Sequence, residues 1–218
     1  MKAQEFKDHN RVLSLQQEKI VAISALTATG NLESLKSALN AGLDAGLSVE
    51  EIKEILVQLY AYCGFPRSLN AISAFMAVVE KRKADGIHDK QGKPAVLKKE
   101  PKDKYEQGRK VLEVLTKTPQ EKPAPGFGEF APRIDAFLKE HLFADIFESE
   151  VLTFRQRELV TISTLSAMPG VVPQLQAHIK MGMNTGITEA ELGEVAVLIE
   201  KFVSATQANS LRDIIAKL

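Results

Sequence analysis

IVAISALTA at residues 20–28 and LVTISTLSA at residues 159–167 are one pattern written twice, and reading them as a repeat decides the fold. The match continues downstream after one extra residue in the second copy. NLESLKSALNAGLDAGLSVEEIKEILVQL (31–59) lies over VVPQLQAHIKMGMNTGITEAELGEVAVLI (171–199). Gly30 then falls on Gly170, Gly46 on Gly186 and Ser48 on Thr188. Glycines, caps and apolar positions coincide without a further gap, as expected of a duplicated structural unit.

Each unit reads as helices. Ile20, Ile23, Leu26 and Thr27 recur at helical spacing, and Gly30 suits the end of that helix. A second helix is expected from Leu32 to Ala45, ending at Gly46. Ser48 with Glu51, and Thr188 with Glu191, have the spacing of capping boxes. The third helix carries Ile52, Ile55, Leu56 and Leu59 on one face and breaks at Gly64. Pro66 suits the first turn of a fourth helix, from Arg67 to Lys83, because its missing N–H has no partner to lose there. Further helices are expected over Tyr105–Thr116 and Ala131–Phe147, the latter with Ile134, Phe137, Leu138 and Leu142 facing inward; residues 118–130 read as loop. No alternating β-branched run competes. The expectation is an all-α chain: a first repeat over 1–83, a charged linker over 84–103, and a second repeat over 104–218, packed as one helical assembly.

Composition bounds the function. The 218 residues are 44% apolar, enough for a substantial core. Twenty-eight basic residues balance 28 acidic ones, which gives no basis for nucleic acid or an anionic membrane as partner. No apolar run has spanning length, and MKAQEFKDHN at the start lacks the apolar stretch of a signal peptide. A single cysteine, Cys63, excludes a disulfide or a two-thiol pair within the chain. A cytoplasmic location is expected.

RELVTISTLSA (157–167), QLQAH (174–178) and NTGITEAELGE (184–194) resemble the carboxymuconolactone decarboxylase repeat. GLDAGLSVEEIKEIL (42–56) and YAYCGFPRSLNA (60–71) resemble the family's later section, and KYEQGRKVLEVL (104–115) its lead-in helix. The resemblance covers nearly the whole chain outside the linker. It implies an all-α fold and a ring-like homo-oligomer, such as a trimer. The superfamily contains lactone decarboxylases and alkyl hydroperoxidase D-type thiol peroxidases.

In the peroxidase branch a Glu precedes Cys-x-x-Cys, with His four residues after the second Cys. Glu158 and His178 fall on the Glu and His, but Val171 and Gln174 occupy the two cysteine positions, so no thiolate or disulfide forms there. In the first unit the matching positions are Lys19, Asn31, Ser34 and Ala38. His178 is a candidate general acid/base, with Glu158 orienting it. A lone histidine beside Leu175 and Ile179 is as readily a core residue bonded to a carbonyl. Tyr60, Tyr62, Cys63, Arg67 and Asn70 cluster around the Gly64 break. Arg67 in a first helical turn suits a carboxylate, with Tyr60, Tyr62 and Asn70 as a ring-binding wall. The plainer reading makes the aromatics core and Arg67 a surface residue. Cys63 reads as a packing thiol rather than a nucleophile. His9, His88 and His141 are poor candidates, lying in a tail, the linker and a charged helix face. No metal-ligand spacing, phosphate loop or nucleophile elbow occurs, so neither metal nor cofactor is expected.

The second unit has Glu158 and His178 but FVSATQ (202–207) in place of YCGFPR; the first has YCGFPR but no matching His. This complementarity suggests one composite site, completed within the chain or by a neighbour. The leading expectation is a cofactor-independent carboxy-lyase acting on a small carboxylated lactone or cyclic acid. The alternatives are a thiol peroxidase using Cys63, and a non-catalytic helical ligand-binding or assembly protein.

Overall fold

The computed structural model describes residues 12–96 and 103–218, and no strand occurs among them. The order is α1 (Leu15–Thr29), α2 (Leu32–Asp44), α3 (Val49–Ala84), α4 (Lys104–Thr116), α5 (Phe127–Phe130), α6 (Pro132–Ala136), a π-helix (Phe137–Ile146), α7 (Phe154–Ser166), α8 (Val172–Asn184), α9 (Glu189–Phe202) and α10 (Ala205–Ile215).

The duplicated stretch supplies α1 and α7. Each starts at a capping box, Ser14 with Gln17 and Thr153 with Gln156. α1 is buried without interruption from Ile20 to Ala28, and α7 from Arg157 to Ser166. A helix buried on every side must be covered on every side. The two helices achieve this by packing on each other, with α2 against α1 and α8 against α7. α9 of the second repeat also packs on α1, and α3 of the first packs on α7, so the repeats share one core. Gly42 and its repeat equivalent Gly182 bring α2 and α8 close. A Cβ on Gly42 would stand 3.1 Å from Ile23 Cδ1, and one on Gly182 2.8 Å from Ile162 Cδ1.

α3 contains the expected break: Gly64 has φ 83° and ψ 158°, far from helical values and in a region that favours glycine. The Ser68 hydroxyl donates to the Leu56 carbonyl at 2.7 Å, tying the two halves of α3 across this kink.

A buried polar cluster joins the repeats. The Arg157 guanidinium of α7 donates to Glu54 Oε1 at 2.7 Å, Gln58 Oε1 at 3.0 Å and the Ser149 carbonyl at 2.9 Å. Glu194 of α9 accepts from the Val12 and Leu13 amides at 2.9 and 2.7 Å, fastening the chain just before α1.

The segment read as a linker is exposed over residues 85–96 apart from half-buried Asp89, and it is tethered at a few points: Lys90 and Gln91 carbonyls accept from the Val49 and Glu50 amides at 2.9 and 3.0 Å, and Arg82 pairs with Asp89 at 2.8 Å. Residues 97–102 of that segment lie outside the described residues. Two expectations are corrected. The loop read over 118–130 includes the short helix α5. The helix read over Ala131–Phe147 is α6 followed by the π-helix, and the wider turn changes the phase of its side chains. Leu142 is buried as expected, but Ile134 and Phe137 are 52% and 56% exposed.

α4 lies along the π-helix at very short range, because Gly108 has no side chain. A Cβ there would fall 1.7 Å from the Lys139 carbonyl oxygen, an impossible contact with backbone. Val111 and Leu115 of α4 pack with Leu142, Phe143, Ile146, Phe147 and Met181 in a second apolar cluster.

Two substitutions test this architecture by denaturant unfolding. Glu54→Ala leaves Arg157 buried beside an uncompensated gap in its pairing and is expected to lower stability by about 3–5 kcal/mol. Gly108→Ala must push α4 off the π-helix and is expected to cost at least about 1–3 kcal/mol, despite alanine's better helix propensity.

Candidate active site

Glu158 sits in the second turn of α7 and His178 in the middle of α8. Packing of α8 on α7 brings them together: His178 Nδ1 lies 2.8 Å from Glu158 Oε2. Glu158 is fully buried, and its other oxygen has no hydrogen-bond partner among the described residues. With Glu158 ionised, a carboxylate that only accepts, Nδ1 is the donor and Nε2 is left facing away from it. A buried carboxylate behind the ring also stabilises the positive charge that develops when Nε2 takes up a proton.

His178 is 7% exposed, and what it faces is a cavity of about 850 Å³. Its walls come from α3, α4, the loop before α5, α5, α6, the π-helix and α8. Tyr60 and Ala61 enter from the first repeat, while Gln174, Ala177 and Met181 flank His178 on α8. The Tyr62 ring meets the His178 ring edge-on at 5.5 Å between centroids. Burial, together with the nearby Glu158 carboxylate, pushes the Tyr62 phenol well above its usual range, so it stays neutral. The first repeat therefore sets Tyr62 against an imidazole supplied by the second and places Tyr60 in the wall of the same cavity.

The other residues singled out lie apart. Arg67 and Asn70 are exposed and do not line the cavity. Cys63 is half-buried, also off the cavity, with Sγ 3.2 Å from the Leu59 carbonyl. Burial raises its thiol, which the neighbouring Arg67 charge offsets only in part. His9 lies outside the described residues. His88 is exposed. His141, set aside on sequence, does line the cavity; its Nδ1 is 3.0 Å from Asp145 Oδ2 and its ring 5.5 Å from that of Tyr60.

Sequence reading missed a buried triad in the cavity wall. Lys139 Nζ donates to Tyr105 Oη at 2.8 Å and to the Glu121 carbonyl at 2.8 Å, and pairs with Asp135 Oδ1 at 2.9 Å. Tyr105 donates a short hydrogen bond to Asp135. Burial alone would raise the Asp135 carboxyl, but Tyr105 and Lys139 outweigh it and hold it below the usual range. Asp135 and Lys139 stand at i and i+4, a signal visible in the sequence but indistinguishable there from an ordinary surface pair. Among the described residues no group of three or more His, Cys, Asp or Glu side chains could hold a metal ion, and no helix is long and apolar enough to cross a membrane.

The chain matches the sequence profile of the carboxymuconolactone decarboxylase family over residues 1–77 and 132–215, in two segments consistent with a tandem arrangement. Comparison with curated proteins returns no match. With well over half its length matched, and a helical fold that agrees, the chain belongs to the carboxymuconolactone decarboxylase family.

Proposed function

We propose that the chain is a cofactor-independent enzyme of the decarboxylase type, in which His178 moves a proton at a carbon activated by a neighbouring carbonyl. The observation that carries this reading is the 2.8 Å contact of His178 Nδ1 with a fully buried Glu158, at the wall of a cavity large enough for a ligand. Glu158 is the positioning residue and Nε2 the reacting atom.

For a carboxylated lactone or cyclic acid the steps balance as follows. The bond to the carboxyl carbon breaks and carbon dioxide leaves. The electron pair passes into the conjugated carbonyl as an enolate. His178, which has taken a proton on Nε2 from solvent, gives that proton to carbon and returns to the neutral imidazole. Arg67 lies outside its own chain's cavity, so a carboxylate clamp there requires the facing surface of a second copy. Exposed Phe65, Leu69 and Met76 line the same half of α3 and are the surface such a homo-oligomer contact would cover.

The thiol peroxidase alternative draws less support. Cys63 lies off the cavity and burial raises its thiol, opposite to what a nucleophilic thiolate needs.

Two measurements check these readings. With an α,β-unsaturated γ-lactone that carries its carboxylate on the γ-carbon as substrate, carbon dioxide release is expected to fall about 10²- to 10⁴-fold in His178→Gln. Glu158→Gln should lower turnover while leaving substrate affinity nearly intact; wild-type turnover in His178→Gln would overturn the proposal. Alkylation of Cys63 by iodoacetamide should reach half-maximal rate at a higher pH than free cysteine, because the thiolate form is disfavoured by burial. A midpoint below that of free cysteine would revive the peroxidase reading.

A further inference from the structure

The chemistry of the cavity wall limits what the site can hold. The volume of about 850 Å³ is near the upper end for small-molecule sites. A lactone acid of about ten heavy atoms would leave most of it unfilled. Leu112, Phe127, Leu138, Leu142, Phe143 and Met181 make most of the wall apolar.

The lysine and the carboxylate in that wall are already committed. Lys139 and Asp135 are each about 1% exposed and pair with each other, and the three Lys139 donors are taken by Tyr105, Glu121 and Asp135. His141 is bonded to Asp145 through Nδ1 only, so its Nε2 remains as a polar atom at the exposed edge of the wall. No lysine or arginine among the described lining residues is left to pair with a ligand carboxylate. The polar groups that remain are His178 and Gln174 on α8, with Tyr60 and the second ring nitrogen of His141; Thr116 and Gln120 bond to each other and to nearby carbonyls. A carboxylate seated deep against the apolar wall would lose water with no cation to meet it, whereas an apolar body there would replace water at a gain.

We propose that this site takes a substrate with an extended apolar body and a single oxygen-bearing head, and that the head, an enolisable carbonyl together with the carboxyl group lost beside it, is the part that reaches His178. The body lies against the π-helix and α4, and Ile134 and Phe137, more than half exposed, cover its outer end. This rests on the acid/base reading above for the head, but not for the body.

The test uses 2-undecanone and, for comparison, 5-oxotetrahydrofuran-2-carboxylate, a small carboxylated lactone. Binding is measured by calorimetry at several temperatures, and α-hydrogen exchange of the ketone is followed by NMR in deuterated water. The ketone is expected to bind at least about tenfold more tightly than the lactone acid, with a negative heat-capacity change. Ile134→Asn and Phe137→Ser, at exposed positions where folding is little affected, should each weaken the ketone about tenfold. Thermal melting of both variants checks that they fold. His178→Gln should keep ketone binding within a few-fold and lose the exchange. Absence of ketone binding, or a lactone acid bound as tightly, overturns the apolar-body proposal and leaves the acid/base reading standing. Ketone binding with exchange no faster in the wild type than in His178→Gln overturns the acid/base reading and leaves the apolar body standing.

Discussion

Two helices of nearly the same sequence, α1 and α7, are buried along most of their length and lie against each other. Neither has a polar face to turn to water, so each repeat by itself would leave its central helix half-covered. Burial of this pair is the constraint on which the rest depends. It draws α2 and α8 onto the pair through Gly42 and Gly182, and it makes α9 and α3 cross to the opposite repeat.

That same burial puts two adjacent charges of α7 out of reach of water. Arg157 and Glu158 are both fully buried, and each is answered from a different side. Arg157 turns to Glu54 and Gln58 of the first repeat, while Glu158 turns to His178 of the second. A buried charge without a partner is strongly destabilising, so these contacts hold α3 and α8 in register with α7. The histidine's orientation is thus a consequence of how the core satisfies its charges. The cavity beside it has a separate origin. Gly108 lets α4 touch the π-helix backbone, and the Lys139–Asp135–Tyr105 triad with the Glu121 carbonyl pins the intervening loop, which together shape the wall facing His178.

The site was legible in part. Glu158 and His178 stood out because their spacing matched a family pattern, and the fold places them in contact. Tyr60 and Tyr62 were singled out with Arg67, Asn70 and Cys63 because all cluster at one kink. A kink turns successive side chains in different directions, and sequence distance cannot say which ones turn inward. Here the two tyrosines face His178 or its cavity while the other three do not line it. Lys139 escaped notice and His141 was set aside because helical charge pairs look alike whether wet or buried.

Sequence alone determined the helical class, the duplication, the caps, the Gly64 break and the absence of a thiol pair, because each is written in local periodicity or in the identity of single residues. Tertiary structure alone decided that the two copies bury each other, that α-helical phase is lost at residues 137–146, and that the cavity's charges are already paired. Those outcomes depend on which surfaces meet across long stretches of chain, and periodicity within one stretch carries no record of its partner.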